Sequence, residues 1–260
     1  MMSEEGSERL LQEVRRLRQR VNQLERKLEA LTRAGPPVEE DRVKTFVDAF
    51  DDALGGGVPT GHVVILHGPT GTMKTSLSLY LASRNRAKGM RTLYISLEED
   101  RESLLRTMEG LGMKEEDFIV DIATMRLEHG MVEEAGDWLH ILLSYLQRKL
   151  EGGLDILVID AFNSIYNMTQ PQLLRRELFQ FFSFLRDSQL TSFLIYEGKD
   201  FPYREDYMAD GVLEITPRDL DRGQVALWMR CVKLRHTAHS RDYHRLEFRR
   251  DRFVALPVTH

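Results

Sequence analysis

The stretch HVVILHGPTGTMKT, from His62 to Thr75, constrains what this chain can fold into more than any other. His62 to His67 is an apolar run of the kind that makes a short buried strand. Gly68, Pro69, Thr70 and Gly71 force a turn, and Lys74-Thr75 open a helix whose apolar residues Leu77, Tyr80 and Leu81 share a face. Strand, glycine-bearing loop, Lys-Thr and helix in that order describe a phosphate cradle. The nucleotide-binding segment is Gly68, Pro69, Thr70, Gly71, Thr72, Met73, Lys74, Thr75 and Ser76. Its backbone N–H groups and the positive end of the helix face an anion, Lys74 reaches the β- and γ-phosphates, and the Thr75 hydroxyl ligates Mg²⁺. Such loops have glycine just before the lysine. This chain has Met73, a departure that bears on hydrolysis more than on binding.

Length and composition set the frame around that stretch. The 260 residues suffice for one large α/β domain with an appendage, and 42% hydrophobic with 30% charged residues fits a soluble globular chain. No run of eighteen apolar residues exists, so no membrane span is expected, and the start MMSEEGSERL is unlike a secretory signal. Cys231 is the only cysteine, which excludes an internal disulfide framework and a cysteine-based zinc site and suits a reducing, cytoplasmic setting. The net charge of −5 argues weakly against broad nucleic-acid affinity. Between Arg218 and Arg252, however, ten Lys and Arg stand against five Asp and Glu, an excess of +5 that suits either nucleic acid or an acidic neighbour.

The amino-terminal arm has its own pattern. Leu10, Val14, Leu17, Val21, Leu24, Leu28 and Leu31 are separated by alternating steps of 4 and 3. Val14, Val21 and Leu28 take position a of a heptad and the remaining leucines position d, a choice that favours two parallel strands. Glu13 would then face Arg18 of a partner helix and Arg20 would face Glu25, both attractive. The alternative, an amphipathic helix lying on its own domain, fits less well with so narrow a stripe and so polar an outer face. Ala34-Gly35-Pro36-Pro37 stops the helix. The expected domains are therefore a coiled-coil arm over 1–33, a linker over 34–42 and a single domain over 43–260.

Beyond the first helix, Arg91 to Ser96 reads as a strand ending in Glu98-Glu99. Carboxylates at the carboxyl end of a strand beside a phosphate loop are where a parallel sheet presents its chemistry. The same acids would equally suit the first turn of the helix expected over 101–112, and by themselves the residues favour that second reading. A strand over 118–122 and helices over 132–150 and 173–185 follow. Leu154 to Asp160 is an apolar run closed by an aspartate. Coming two alternating βα units after a phosphate loop, this is the second nucleotide-site element, in which Asp160 delivers one carboxylate to the Mg²⁺ shell beside Thr75. Ser192 to Glu197 is the next strand, with Glu197 a secondary candidate at its end. Strands over 210–215 and 225–232, joined by a turn from Pro217 to Gly223, are expected to pair antiparallel. The cations Lys233 and Arg235 follow, on one face by strand alternation, and read either as site residues or as a solvated basic edge.

FDDALGGGVPTGHVVILHGPTGTMKT, from Phe50 to Thr75, resembles the opening of the KaiC-like branch of RecA-superfamily ATPases, and KLRHTAH, from Lys233 to His239, resembles a second signature of that branch. The resemblance covers roughly residues 44–256. It implies an α/β fold: a RecA-like core of mostly parallel sheet with helices on both faces and an antiparallel carboxyl-terminal extension, here preceded by the coiled-coil helix. It implies ATP and Mg²⁺ as cofactors, and a catalytic role for Glu98 with Glu99 as its partner in activating water. Lys233 and Arg235 would act on a neighbouring subunit's γ-phosphate, and the assembly would be a homo-oligomeric ring, a hexamer. In the family's clock proteins the self-phosphorylated hydroxyls lie in the region matching Gly198 to Ile215. That stretch has no serine or threonine here, only Tyr203 and Tyr207, which disfavours such an autokinase.

The leading expectation is thus a ring-forming regulatory or assembly ATPase whose arm pairs subunits or docks a protein partner. A recombinase-like DNA-repair ATPase binding single-stranded DNA is the second reading, and a nucleotide-binding scaffold with little hydrolysis is the third.

Overall fold

In a computed structural model, the residues described are 42–114, 117–129, 138–169, 171–198, 205–220 and 223–258. The coiled-coil arm expected over 1–33 lies outside them, as does the linker apart from Arg42. The described chain begins with a short strand Arg42–Val43 (β1), a helix Asp48–Ala53 (α1) and a strand Val58–Pro59 (β2) that pairs antiparallel with β1. The apolar run before the phosphate loop then forms β3, Val63–Gly68, and all six of its residues are buried. A strand apolar on both faces belongs in the middle of a parallel sheet, and β3 is found there.

The helix opened by Lys74-Thr75 is α2, Lys74–Arg86. It leads to β4, Thr92–Ser96, α3, Arg101–Gly110, and β5, Ile119–Asp121. Then come α4, Ile122–His129, α5, Trp138–Glu151, and β6, Ile156–Asp160. A short turn of 3-10 helix, Phe162–Ser164, and α6, Ile165–Met168, precede α7, Pro171–Asp187, which starts with proline where its missing N–H costs nothing. Strands β7, Thr191–Glu197, β8, Gly211–Asp219, β9, Val225–Leu234, β10, His244–Arg249, and β11, Arg252–Pro257, complete the chain.

Among the described residues nine strands form one sheet in the order β11-β10-β9-β8-β3-β7-β6-β4-β5. From β8 to β5 every pairing is parallel, while β9, β10 and β11 extend it antiparallel. Alternate residues of β3 feed opposite cores. Val64 and Leu66 pack with Leu77, Tyr80 and Leu81 of α2, whereas Val63 and Ile65 pack with Leu142 and Leu146 of α5 and Phe181 and Phe182 of α7. Each of those fully buried aromatic side chains contributes roughly 2–3 kcal/mol of apolar burial. The RecA-like α/β architecture is therefore as the resemblance implied.

Several local expectations are corrected. Ile122 opens a helix instead of closing the strand expected over 118–122. β8 continues through Pro217 and Arg218 to Asp219, pairing them with Leu227, Ala226 and Val225, so the turn starts later than Pro217. Pro217 is tolerated because β8 lies near the end of its pairing with β3, which stops at Glu214. The β10–β11 hairpin was not anticipated: its turn uses Arg250 and Asp251 at positive φ, without glycine to mark it.

Candidate nucleotide-binding site

Parallel strands end at one edge of the sheet, and Gly68–Ser76, Glu98, Glu99, Asp160 and Glu197 lie there because each closes or follows such a strand. Gly68 closes β3. A Cβ on it would lie 2.2 Å from the carbonyl oxygen of Ile215 on β8, so the loop leaves the sheet where only glycine fits. Gly71 has φ +79°, and Met73, the residue ahead of α2, has φ 62° and ψ 25°. Left-handed residues of this kind turn N–H groups into one concavity, an anion nest. The consensus glycine before the lysine is thus a conformational requirement, which Met73 meets at a cost of about 1–2 kcal/mol. Its side chain packs against the core shared with α2, which offsets part of that.

Lys74 is buried. Its Nζ donates to the Pro69 carbonyl at 2.9 Å and lies 3.9 Å from Glu197 Oε2. Burial lowers the ammonium from its ordinary value, while the charges of Glu197, Asp160 and Glu98 raise it. Thr70 Oγ1 donates to Glu197 Oε1 at 2.7 Å, and Thr72 Oγ1 donates to the Pro69 carbonyl at 2.7 Å, bracing the loop. Ser76 is half-buried in the first turn of α2.

Asp160 closes β6, and the peptide bond that follows it is cis. Thr75 Oγ1 and Tyr94 OH both donate to its Oδ2 at 2.7 Å. Burial pushes the carboxyl above its ordinary value, and the two hydrogen bonds and Lys74 pull it back. Tyr94 is fully enclosed, and burial followed by the Asp160 charge holds its hydroxyl well above the ordinary value, so it remains a donor. A hydroxyl and a carboxylate of hard oxygens beside an N–H nest suit Mg²⁺ and a phosphate chain, so the residues fit the implied cofactors.

The acidic run after β4 divides its work. Asp100 caps α3, its Oδ1 accepting from Ser103 N at 2.8 Å. Glu99 also leans on that helix, where its Oε2 accepts from Ser103 Oγ at 2.9 Å. Glu98 turns the other way, its Oε1 accepting from Ser164 Oγ. Its charge acts on Lys74, as that of Glu99 acts on Asp160. The helix-turn reading therefore describes Asp100 and part of Glu99, while Glu98 is turned towards Ser164.

Lys233 lies in β9, and Arg235 follows one residue past its end at Leu234. Val212 pairs with Lys233 but Leu213 with Cys231, leaving Val232 as an extra residue. The bulge precedes Lys233 and leaves the spacing of Lys233 and Arg235 untouched, and the Arg235 N–H donates to the Asp210 carbonyl at 2.8 Å. Both side chains converge on one segment. Lys233 Nζ donates to the carbonyls of Asp206 and Ala209 at 2.9 and 2.6 Å. Arg235 donates to Asp210 Oδ1 and the Tyr207 carbonyl, each at 3.0 Å. Burial, then the neighbouring Arg235, lowers the Lys233 ammonium.

Sequence reasoning missed Tyr94 and Ser164. Nothing in a β-strand tyrosine advertises a hydrogen bond to an aspartate 66 positions on; the pairing of β4 with β6 creates it. Cys231 is buried, its thiol pushed up to about 12 by burial, and takes no part. Among the described residues no helix is long and apolar enough to cross a membrane.

Comparison with known proteins agrees with this geometry. Residues 43–256 match the family described as KaiC ATPase. A UPF0273 protein of Thermotoga maritima is 27% identical over 236 residues, covering 83% of this chain and 96% of that protein. The circadian clock protein KaiC2 of Synechocystis is 31% identical over 229 residues, which is 83% of this chain and 40% of that protein. A crystal structure of a KaiC-like protein from Pyrococcus horikoshii OT3 superimposes with a TM-score of 0.70 at 25% identity, covering 83% of this chain and 99% of that one. With a phosphate loop, a strand-end aspartate on its threonine and a match over most of its length, the chain belongs to the KaiC family of RecA-superfamily ATPases.

Proposed function

We propose that this protein binds ATP with Mg²⁺ in the Gly68–Ser76 cradle and hydrolyses it, as a ring-forming regulatory or assembly ATPase in the cytoplasm. The observation that carries this is the junction of the Thr75 hydroxyl with the Asp160 carboxylate at 2.7 Å, directly beside the buried Lys74. In this reading Lys74 and the loop N–H groups hold the phosphates, and Thr75 and Asp160 hold the metal. Bound Mg²⁺ supplies neutralisation of charge on the phosphate oxygens. Glu98, with Glu99 as its partner, orients water and accepts its proton. Lys233 and Arg235 act from the neighbouring subunit, where positive charge stabilises the transition state. To do so they must exchange the carbonyls of 206, 207 and 209 and the Asp210 carboxylate for phosphate oxygens, which couples hydrolysis to assembly. The arm over 1–33 pairs subunits or docks a protein partner.

Phosphate release from Mg-ATP tests the chemistry. Replacing Glu98 and Glu99 by Gln is expected to lower turnover by about 10²–10³-fold while leaving nucleotide affinity intact. Mass-resolved sizing with and without Mg-ATP, repeated after deleting residues 1–37, tests the assembly; a monomer under every condition sinks the ring. The third reading, a scaffold that binds nucleotide with little hydrolysis, is favoured by one observation, the non-glycine Met73 at the left-handed position of the loop. Wild-type turnover no faster than that of the double Gln variant would select it.

A further inference from the structure

We infer that Ser164, carried on the turn Phe162–Ser164, is the positioning residue for Glu98: its hydroxyl holds the carboxylate in the orientation that activates water. The inference rests on the hydrolytic reading above and names a group that reading does not contain.

Glu98 needs such a partner. It follows the end of β4, its side chain is exposed, and a free glutamate side chain samples many rotamers. A general base must lie within hydrogen-bond reach of its water in a narrow range of angles, so an unrestrained carboxylate spends little time in the productive arrangement. Ser164 Oγ donates to Glu98 Oε1, which leaves the other oxygen of the carboxylate to accept a proton.

The serine is itself fixed from three directions. Phe162 is fully buried against Phe181 and Phe182 of α7, with ring centroids 5.3 and 6.3 Å apart, and against Tyr196 of β7 at 5.6 Å. Asn163 Oδ1 accepts the backbone N–H of Glu197 at 2.8 Å, tying the turn to the end of β7. Ser164 N donates to the Ala161 carbonyl at 3.1 Å, closing the turn directly after the metal-site strand. The hydroxyl is therefore anchored to the same two strand ends, β6 and β7, that flank β3 and β4 at the site. A turn that merely connected β6 to α7 would not need to present a donor to the adjacent strand's glutamate.

The test compares Ser164→Ala, Ser164→Thr, Glu98→Gln and the double variant Ser164→Ala/Glu98→Gln in the full chain. Readouts are steady-state phosphate release, affinity for a non-hydrolysable fluorescent ATP analogue, and the thermal midpoint. Ser164→Ala is expected to lower kcat about tenfold with analogue affinity and midpoint unchanged. Ser164→Thr, which keeps the hydroxyl, restores most of the rate. In the Glu98→Gln background the alanine substitution adds nothing, because the group it positions is gone. Effects that multiply in the double variant, a threonine no better than alanine, or a loss that falls on affinity instead of kcat would each overturn the inference. Ser164→Ala at the wild-type rate beside a collapsed Glu98→Gln sinks this inference alone. A Glu98→Gln variant as fast as wild type sinks the hydrolytic reading, and this inference with it.

Discussion

The parallel part of the sheet, β8 to β5, and its antiparallel extension, β9 to β11, are built from similar strands but hold their charges differently. At the carboxyl ends of β3, β4, β6 and β7 the polar groups face one another across strands: Thr75 and Tyr94 on Asp160, Ser164 on Glu98, Thr70 and Lys74 on Glu197. Parallel strands all end on the same side, so residues far apart in sequence are delivered to one place. In the extension successive strands run oppositely, and no common edge exists at which side chains accumulate. Its two cations of interest, Lys233 and Arg235, instead bond to a nearby segment at 206–210. The parallel part concentrates its polar groups at one edge, and in the proposed ring the charges of the extension serve a second copy.

The sharpest break of this comparison is Lys74→Ala. If the parallel part alone binds phosphate, turnover falls by at least ~10³-fold and nucleotide affinity drops with it, read by phosphate release and analogue binding. Retained affinity would move the binding site elsewhere. Next in size, Lys233→Ala or Arg235→Ala is expected to lower turnover about 10²-fold with nucleotide affinity preserved. Mixing Arg235→Ala subunits with Glu98→Gln subunits should then recover measurable activity, because some interfaces acquire an intact pair. Mixtures no more active than either parent would place the cations outside a shared site.

The seam between the two parts offers a smaller, pH-dependent effect. His67 of β3 is buried 3.9 Å from Glu214 of β8, which is also paired with Arg230 of β9. Burial lowers the imidazole to about 4, with the Glu214 charge opposing. Between pH 6.5 and 4 the unfolded chain therefore binds a proton that the folded chain excludes, and stability falls as pH falls through that window. The loss approaches about 3 kcal/mol and is complete below pH 4. Chemical denaturation from pH 7 to 4 should show a steeper decline for wild type than for His67→Gln; identical slopes would deny it. Smallest is Met73→Gly, which relieves about 1–2 kcal/mol of backbone strain and loses side-chain packing of similar size. Stability should change by less than about 1 kcal/mol and turnover by less than about twofold, whereas a large rise in turnover would make Met73 a brake.

What was legible in the sequence follows from the range of each interaction. The βα order, the phosphate loop and the strand-closing Asp160 are local patterns, each written within about ten residues. Glu98 and Glu99 were visible as a pair, but not their division of labour, since Ser103 and Ser164 attract them in opposite directions. The bulge at Val232 was not legible, because it is set by pairing with β8 and leaves no mark in β9 itself, and the partners of Lys233 and Arg235 on 206–210 are likewise set by the fold. The β10–β11 hairpin escaped notice because Arg250 and Asp251 stand where glycine or asparagine would announce the turn.

The amino-acid order by itself determined the elements around the phosphate loop, the loop itself and the family, because hydrophobic period, glycine position and a lysine at a helix start act over a few neighbours. Only the tertiary structure decided which carboxylate meets which hydroxyl. Strand order sets β6 beside β4 and β3 beside β8, and those juxtapositions, with no counterpart along the chain, bring Tyr94 to Asp160, Ser164 to Glu98 and His67 to Glu214.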